Sequence, residues 1–353
     1  MRISLLTYSS KPRGGVVHTL ALAEALARAG QDVSVWSLGR GGDSTFFRAV
    51  DPAVEIRMVP FEHRDQEGVG ERILRSIDVL RQAFTPDEYD IVHAQDCISA
   101  NAAGRCIRTI HHLDEFTTPE LAACHERAIT APYARICVSA AVASDVRRGW
   151  GFEPTVIPNG VDAERFTAAA QSGRSHWREK LGRYVLAVGG IEPRKGSLDL
   201  LEAFARLRPH DLRLVFAGGE TLFDYRGYRT EFDRRATELG IEPVILGTVD
   251  DDELPHLVAQ AAVLPFFSTK EGFGLAAMEA LAASTPVVAR DLPVLREVFG
   301  DSVIYASTPA TMAAELERAL VTPQDSSPGL TLARSLTWDE AARRHLKFYS
   351  SLR

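Results

Sequence analysis

Two patterns of apolar residues alternate along this chain: runs of consecutive apolar residues, and stretches where apolar residues recur every three or four positions. The first pattern is typical of buried strands and the second of amphipathic helices. Repeated strand–helix units of this kind predict an α/β fold. The predicted strands are Ile3–Tyr8, Val33–Leu38, Ile56–Val59, Ile91–Gln95, Thr109–Leu113, Ile136–Ser139, Tyr184–Gly189, Leu212–Ala217, Val244–Thr248, Ala262–Phe267, Pro286–Ala289 and Val303–Tyr305.

The alternation is interrupted once, which indicates two domains. Thr155–Asp162 contains a proline and an Asn-Gly pair, both of which favour turns, and the alternation resumes at Tyr184. We therefore place a domain boundary near residue 165, with a first domain at 1–165 and a second at 166–336. We expect the last helix, within 337–353, to pack back onto the first domain.

The composition narrows the class of protein. Of the 353 residues, 45% are hydrophobic and 25% are charged, as in soluble globular proteins, and the formal charge of −7 argues against broad nucleic-acid binding. No apolar stretch approaches the roughly 18 residues of a membrane span, and the opening apolar run is too short for a signal peptide. The four cysteines form no C-x-x-C pair, so we expect reduced, structural thiols and a cytoplasmic location.

Thr269–Glu279 is the stretch that most clearly suggests a ligand site, because it follows an apolar run and opens a helix. Two glycines flank Phe273 at the turn, where a backbone can come close to a ligand. The start of the helix offers unpaired amides and the positive end of the helix dipole, which favour an anion. With Glu271 before the turn and Glu279 in the helix, the stretch predicts a phosphate beside a hydroxyl-rich group.

Arg194 and Lys195 lie ahead of a helix that begins near Ser197, after the first strand of the second domain. A guanidinium and an ammonium at a helix start can neutralise a diphosphate. The spacing does not match a P-loop, and exposed, solvated charges are the alternative interpretation.

In the first domain, the candidate residues follow predicted strands. Gly14-Gly15 opens a helix without the G-x-G-x-x-G spacing, so it predicts either a phosphate or sugar site or a tight turn only. His111–Asp114 closes a strand at the carboxyl end, where α/β proteins usually bind ligands, and His93 and Asp96 close the neighbouring strand. Zinc is not favoured, since no third ligand has suitable spacing.

Two charged stretches have a structural interpretation as well as a functional one. The helix predicted over Glu71–Phe84 is basic and amphipathic, which is typical of a solvated face and, as the alternative, of peripheral membrane contact. Asp250-Asp251-Asp252 resembles a metal-binding acidic run. We instead expect Asp250 or Asp251 to cap a helix that has Glu253 in its first turn.

Together these motifs resemble the GT-B glycosyltransferases of the retaining family 4, also called group 1. The Glu271–Glu279 element has the E-x7-E form, and the resemblance covers nearly the whole chain. It implies two Rossmann-like β/α/β domains facing each other across a cleft, with the C-terminal helix returning to the N-terminal domain. The other motifs that agree in order and spacing are Gly14-Gly15 with His18, His111, Ile157–Asp162, Glu192–Gly196 and Ala282–Ala289.

The resemblance implies transfer of a hexose from a nucleoside-diphosphate sugar, such as a UDP-sugar, to an acceptor hydroxyl with retention, by attack from the face that the diphosphate leaves. The first domain would bind the acceptor and the second the donor, with no metal and no cofactor. The acceptor is left open among small molecules, glycans and lipid-linked compounds. Two alternatives are a sugar-nucleotide epimerase that works by elimination and re-addition and a non-catalytic sugar-nucleotide-binding protein.

The family's functional residues carry over by position. The implied catalytic residues are His111, Arg194, Lys195 and Glu271. The implied donor-binding residues are Gly15, Thr248, Val249, Phe273, Gly274, Leu275 and Glu279, and the acceptor-binding residues are His18, His93, Asp96 and His112. The chain departs from the family at Gly190, where an arginine is usual, so that Arg194 is expected to carry more of the diphosphate's charge. His112 stands where an aspartate is common.

Overall fold

The computed structural model describes residues 1–62, 64, 66–113, 116, 118–207, 211–219 and 225–352; Asp114 of the predicted strand end lies outside them. The chain divides into two compact units. The first unit combines Met1–Gly160 with Trp338–Arg353, and the second is Val161–Thr337. The change of unit after Gly160 lies a few residues before the predicted boundary at 165.

The first unit is built on a parallel sheet that has seven strands in the described part of the chain, in the order β3-β2-β1-β4-β5-β6-β7. Its strands are β1 (Arg2–Leu6), β2 (Asp32–Arg40), β3 (Val54–Phe61), β4 (Ile91–Ala94), β5 (Ile107–Ile110), β6 (Ala134–Cys137) and β7 (Thr155–Val156). Its helices are α1 (Gly14–Arg28), α2 (Val69–Ala83), α3 (Cys97–Ala103), α4 (Pro119–Thr130), α5 (Ala140–Trp150) and, from the end of the chain, α15 (Trp338–Ser351).

The second unit has two parallel sheets of three strands each among the described residues, β10-β9-β8 and β11-β12-β13. A bridge between Val185 and Val263 joins them, so β8 and β11 are neighbours. The strands are β8 (Arg183–Val188), β9 (Leu212–Ala217), β10 (Val244–Gly247), β11 (Leu264–Phe266), β12 (Val287–Arg290) and β13 (Ile304–Ala306). The helices are α6 (Ala163–Gln171), α7 (His176–Leu181), α8 (Ser197–Phe204), α9 (Arg226–Glu238), α10 (Leu254–Gln260), α11 (Leu275–Ala282), α12 (Pro293–Phe299), α13 (Pro309–Val321) and α14 (Ser327–Ser335).

Every predicted strand is present, and the α/β prediction is confirmed. Two local predictions were wrong. The strand predicted over Thr109–Leu113 is β5, which ends at Ile110, so His111 lies just beyond the sheet edge. The stretch predicted as a turn contains the short edge strand β7, whose two residues give no periodic signal.

The C-terminal helix α15 packs against α1 and belongs to the core of the first unit. Its inner face is formed by Trp338, His345 and Tyr349, which are 8%, 0% and 0% exposed. An exposed ion pair joins the two helices, with Arg28 Nη2 2.6 Å from Asp339 Oδ1. In the described part of the chain, no helix is long and apolar enough to cross a membrane.

Two arginines of the basic helix α2, Arg75 and Arg81, pair with nearby carboxylates. Arg75 Nε lies 2.5 Å from Glu67 Oε1, and Arg81 Nη1 lies 2.8 Å from Asp78 Oδ1. The Arg81 pair is exposed, as expected of a solvated face, whereas the Arg75 pair is largely buried.

Candidate functional site

The loops after β8 and β11 are locked together at the carboxyl edge of the second unit's sheets. Pro193–Lys195 forms a 3₁₀ turn, and Thr269 N donates to Arg194 O at 2.8 Å. Gly196 has φ +66°, and a Cβ there would lie 2.2 Å from Phe267 O. Only glycine allows so close a contact, and it brings the cations of one loop next to Glu271 of the other.

Lys195, Arg194 and Glu271 form a charged triplet. Lys195 Nζ lies 2.7 Å and Arg194 Nη1 lies 3.2 Å from the same oxygen, Oε1 of Glu271. Burial raises the pKa of Glu271, but the attraction of Lys195 and Arg194 outweighs it and lowers that pKa to about 2. Glu271 is therefore ionised at neutral pH, and the triplet keeps one net positive charge for an anion.

The helix that follows, α11, begins with an enforced glycine. Gly274 has φ +99°, and a Cβ there would lie 2.9 Å from Phe299 Cζ. The amides of the first turn, which begins at Leu275, have no partner within the helix and can donate to a ligand. Phe273 is only 4% exposed, so its side chain lies in the core and its backbone alone could serve a ligand.

Glu279 lies on α11 in a different electrostatic setting from Glu271. Burial raises its pKa to about 7, with Arg165 opposing and Asp251 and Asp162 reinforcing the shift. Arg165 itself pairs with Asp251, Nη2 to Oδ2 at 2.7 Å. The two glutamates therefore differ in protonation near neutral pH.

The predicted cap of α10 was wrong. Its N-cap residue is Glu253, which makes no side-chain cap hydrogen bond. Asp251 is drawn instead to Arg165, a partner far away in the sequence, because an ion pair competes with the local amides for the carboxylate.

Two glycines that sequence reasoning did not single out complete this edge. A Cβ on Gly218 would lie 2.2 Å from the carbonyl carbon of Gly189, and one on Gly219 would lie 2.7 Å from Thr248 Oγ1. The loops after β8 and β9 therefore touch through bare backbone, and Gly219 lets the Thr248 side chain come close, which places Thr248 and the adjacent Val249 at the same edge. The signal in the sequence was a glycine pair directly after a predicted strand.

In the first unit, His111 lies beside the glycine loop that precedes α1. A Cβ on Gly15 would lie 3.8 Å from His111 Cδ2. Burial, together with the nearby His18 and Arg108, holds the pKa of His111 well below its usual range, so the ring is neutral. Its Nε2 is buried with no hydrogen-bond partner among the described residues. The structure thus brings Gly15 and His111 together, and their functional roles stay predictions.

His18 and His93, which the sequence predicted to bind the acceptor, both lie in the core of the first unit. His18 is 1% exposed, lies 4.7 Å from His111 between ring centroids, and places Nδ1 2.9 Å from Asn159 Oδ1. His93 is fully buried, with Nδ1 2.7 Å from the Tyr349 hydroxyl and Nε2 2.7 Å from Thr109 Oγ1. Both rings are enclosed by core side chains, and a contact of either with the acceptor stays a prediction.

His18 lies between His111 and the C-terminal helix α15. Its ring contacts Trp338 of α15 at 5.4 Å between centroids, and burial lowers its pKa to about 3. The neutral ring of His18 packs against the ring of His111, and Asn159 fixes the orientation of the His18 ring.

Asp96 has a structural role that the sequence did not reveal. It caps α3, with Oδ1 accepting from Ser99 N at 2.7 Å and Oδ2 accepting from Tyr8 N at 2.8 Å. His112, half-buried, follows His111. For Asp96 and His112, a contact with the acceptor stays a prediction.

The sequence of this chain is similar to those of known glycosyltransferases. Residues 12–165 match the model of "Glycosyltransferase Family 4", and residues 174–327 match that of "Glycosyl transferases group 1". A phosphatidyl-myo-inositol mannosyltransferase from Mycolicibacterium smegmatis is 30% identical over 91% of this chain and 84% of its own length.

Two solved structures share the fold. Sucrose-phosphate synthase from Thermosynechococcus elongatus has a TM-score of 0.81 at 19% identity, covering 100% of this chain and 99% of its own. HepE from Anabaena, solved in complex with UDP and glucose, has a TM-score of 0.74 at 19% identity, covering 99% of this chain and 100% of its own.

Proposed function

Since this chain belongs to the group 1, family 4-like glycosyltransferases and has the GT-B fold, we propose that it transfers a hexose from a nucleoside-diphosphate sugar to an acceptor hydroxyl with retention. The observation that carries the proposal is the triplet of Arg194, Lys195 and Glu271 beside the start of α11. A UDP-sugar is the donor that we favour, because HepE was solved with UDP.

The triplet suits a departing diphosphate. Negative charge grows on the leaving group as the glycosidic bond breaks, and fixed cations stabilise that charge most in the transition state. Lys195 and Arg194 are held in place by Glu271 before any ligand binds, so little reorganisation is needed. The net positive charge that they retain would also replace a metal ion, which is why we propose a metal-independent reaction without a cofactor.

The proposed roles of Glu271 and His111 depend on whether each side chain is protonated. Glu271, ionised at neutral pH, would accept hydrogen bonds from the sugar hydroxyls, and Glu279 from the ribose. The neutral ring of His111 would contact the reacting sugar, with Gly15 allowing the backbone to come close. No side chain need be the nucleophile, because the acceptor hydroxyl attacks from the face that the diphosphate leaves.

We also propose a cytoplasmic location. The four cysteines, Cys97, Cys106, Cys124 and Cys137, are free thiols, and three of them are buried. Burial raises the pKa of Cys106 and that of Cys137 to about 12, so these thiols are unreactive and suit a reducing compartment.

The test is release of nucleoside diphosphate on addition of acceptor, compared between variants. Lys195→Ala and Glu271→Gln should each lower kcat by about 10²–10³-fold, as expected when preorganised charge at the leaving group is lost. Lys180→Ala is the matched control, because Lys180 is an exposed lysine of the same unit.

Full activity in both site variants would refute the site assignment. Product analysis without acceptor adds a second criterion: a new free sugar in place of transfer would support an epimerase, and binding without turnover would support a binding protein.

A further inference from the structure

Two arginines, Arg13 and Arg40, contact Tyr8 at the carboxyl edge of the first unit's sheet, and a third lies near Arg40. Tyr8 follows β1, Arg40 is the last residue of β2, and Arg13 immediately precedes α1. Arg72, from α2, lies close enough to Arg40 for the two charges to interact. We call Arg13, Arg40 and Arg72 the arginine cluster.

The contacts of Arg40 hold the cluster together. Its Nε donates to the carbonyl of Tyr8 at 3.2 Å, and its Nη2 donates to Ser76 Oγ at 2.8 Å. Its guanidinium carbon also lies 5.2 Å from the centre of the Tyr8 ring. Arg13 Nη1 donates to the Tyr8 hydroxyl at 2.5 Å. Tyr8 therefore holds two guanidiniums, that of Arg13 through its hydroxyl and that of Arg40 through its backbone carbonyl.

Arg40 holds a positive charge that these contacts do not neutralise. Both of its hydrogen bonds go to neutral oxygens, and in the described part of the chain no carboxylate lies within ion-pair distance of it. Burial, together with repulsion from Arg72 and Arg13, lowers the pKa of Arg40 to about 10. The neighbouring Asp96, whose charge partly opposes this shift, accepts two backbone amides, that of Ser99 as the cap of α3 and that of Tyr8 in the loop after β1.

A positive helix terminus adds to this charge. Arg13 is the N-cap residue of α1, a helix of 15 residues with no acidic residue in its first turn, so its dipole also favours an anion here. The chain reaches Gly15, next to His111, only two residues after Arg13. An anion on the cluster would thus lie one loop away from the ring that we place at the reaction.

We infer that the arginine cluster binds a phosphate group carried by the acceptor, which leaves a hydroxyl of the same molecule near His111. Guanidiniums pair with phosphate oxygens through parallel N–H donors, and several around one site suit a group with three free oxygens. The inference rests on the proposed transferase reaction and adds to it the substrate class: a phosphorylated polyol or sugar, free or as a lipid headgroup.

The experiment measures transfer to matched pairs of acceptors. The soluble probes are glucose and glucose 6-phosphate, fructose and fructose 6-phosphate, and myo-inositol and myo-inositol 1-phosphate. Vesicles of phosphatidylcholine with and without phosphatidylinositol form the lipid arm. We expect a phosphorylated member of one pair to be used with a KM at least tenfold lower than that of its neutral counterpart.

The variants Arg40→Gln and Arg13→Gln then test the cluster. Each should raise the KM for the phosphorylated acceptor by about 10- to 100-fold, since each removes charge-assisted hydrogen bonds to phosphate. The KM for the donor, the slow hydrolysis of the donor and the KM for the neutral acceptor should stay within twofold. Arg40→Lys, which restores the charge, should recover part of the loss.

Arg28→Gln is the matched control, because Arg28 ends the same helix that Arg13 precedes, and its ion pair is exposed. Should Arg40→Gln not fold, Arg13→Gln carries the test alone. Preference for neutral acceptors, or a raised donor KM in place of a raised acceptor KM, would overturn the inference and leave the transferase proposal standing. Absence of donor turnover with every acceptor would refute the transferase proposal itself.

Discussion

Glu279 offers a prediction about pH whose sign follows from its surroundings. Its pKa rises from the ordinary 4.5 to about 7, chiefly through burial. A shift of roughly 2.5 pH units corresponds to about 3 kcal/mol. Because the folded-state pKa is the higher one, the folded protein binds the proton more tightly between pH 4.5 and 7. The free energy of unfolding should therefore fall as pH rises through that window and stay level above it.

The variant Glu279→Gln removes this dependence. At pH 8 it should be more stable than the native chain by up to about 3 kcal/mol, whereas near pH 4.5 the two should be equal. Urea unfolding at a series of pH values measures the difference. A native chain that is more stable than Glu279→Gln at pH 8 would contradict the argument.

Donor binding should reverse the effect of burial on Glu279. Ribose hydroxyls donate hydrogen bonds to a carboxylate, so binding favours the ionised form and lowers its pKa. If only the ionised form binds well, affinity should rise about tenfold from pH 6 to pH 8, with proton release near pH 7.

Calorimetry with a nucleotide sugar, in two buffers of different ionisation enthalpy, measures both effects. A nucleotide sugar is the right probe because its phosphates are diesters that do not titrate near pH 7. The nucleotide sugar that raises the Tm most in a panel should be used. The same pH dependence in Glu279→Gln would assign the proton to another group and refute this reasoning.

Two further predictions concern the supports of the site. Gly274→Ala should lower the free energy of unfolding by about 2–4 kcal/mol, because it adds a Cβ 2.9 Å from Phe299 at a φ of +99°. The control is Gly240→Ala, which lies at φ +67° in open space and should lower that free energy by only about 1 kcal/mol. Equal losses in the two variants would contradict the steric argument. His18→Ala should leave a cavity under His111, lowering the unfolding free energy by about 2–4 kcal/mol and kcat about tenfold with donor KM unchanged. Exposed His176→Ala is its control, and an unchanged kcat in His18→Ala would refute the support role.

The sequence predicted the strands and the charged loops because both depend on short-range patterns. An apolar run flanked by turn residues, such as the one before Thr269, reports burial directly. The glycines that open helices at Gly14-Gly15 and Gly274 likewise mark their turns locally.

Burial of the histidines could not be predicted in this way. The sequence predicted that His93 and His18 contact the acceptor, because polar residues near strand ends often line a binding site. In the structure, Tyr349 of α15 covers His93 and Trp338 of α15 covers His18. Those contacts join positions hundreds of residues apart, and no local periodicity encodes them. For the same reason, the pairing of Asp251 with Arg165 prevailed over the cap that the local sequence favoured.

The place of α15 in the first unit also sets an order of events during synthesis. Residues 1–160 emerge from the ribosome well before Trp338, His345 and Tyr349 exist, yet these three side chains complete the core around His18 and His93. The second unit is continuous in the chain and is fully made before α15. Because domains generally fold in the order in which they are made, we expect the second unit to finish folding before the first. The core around His18 and His93 is thus complete only after α15 has been made.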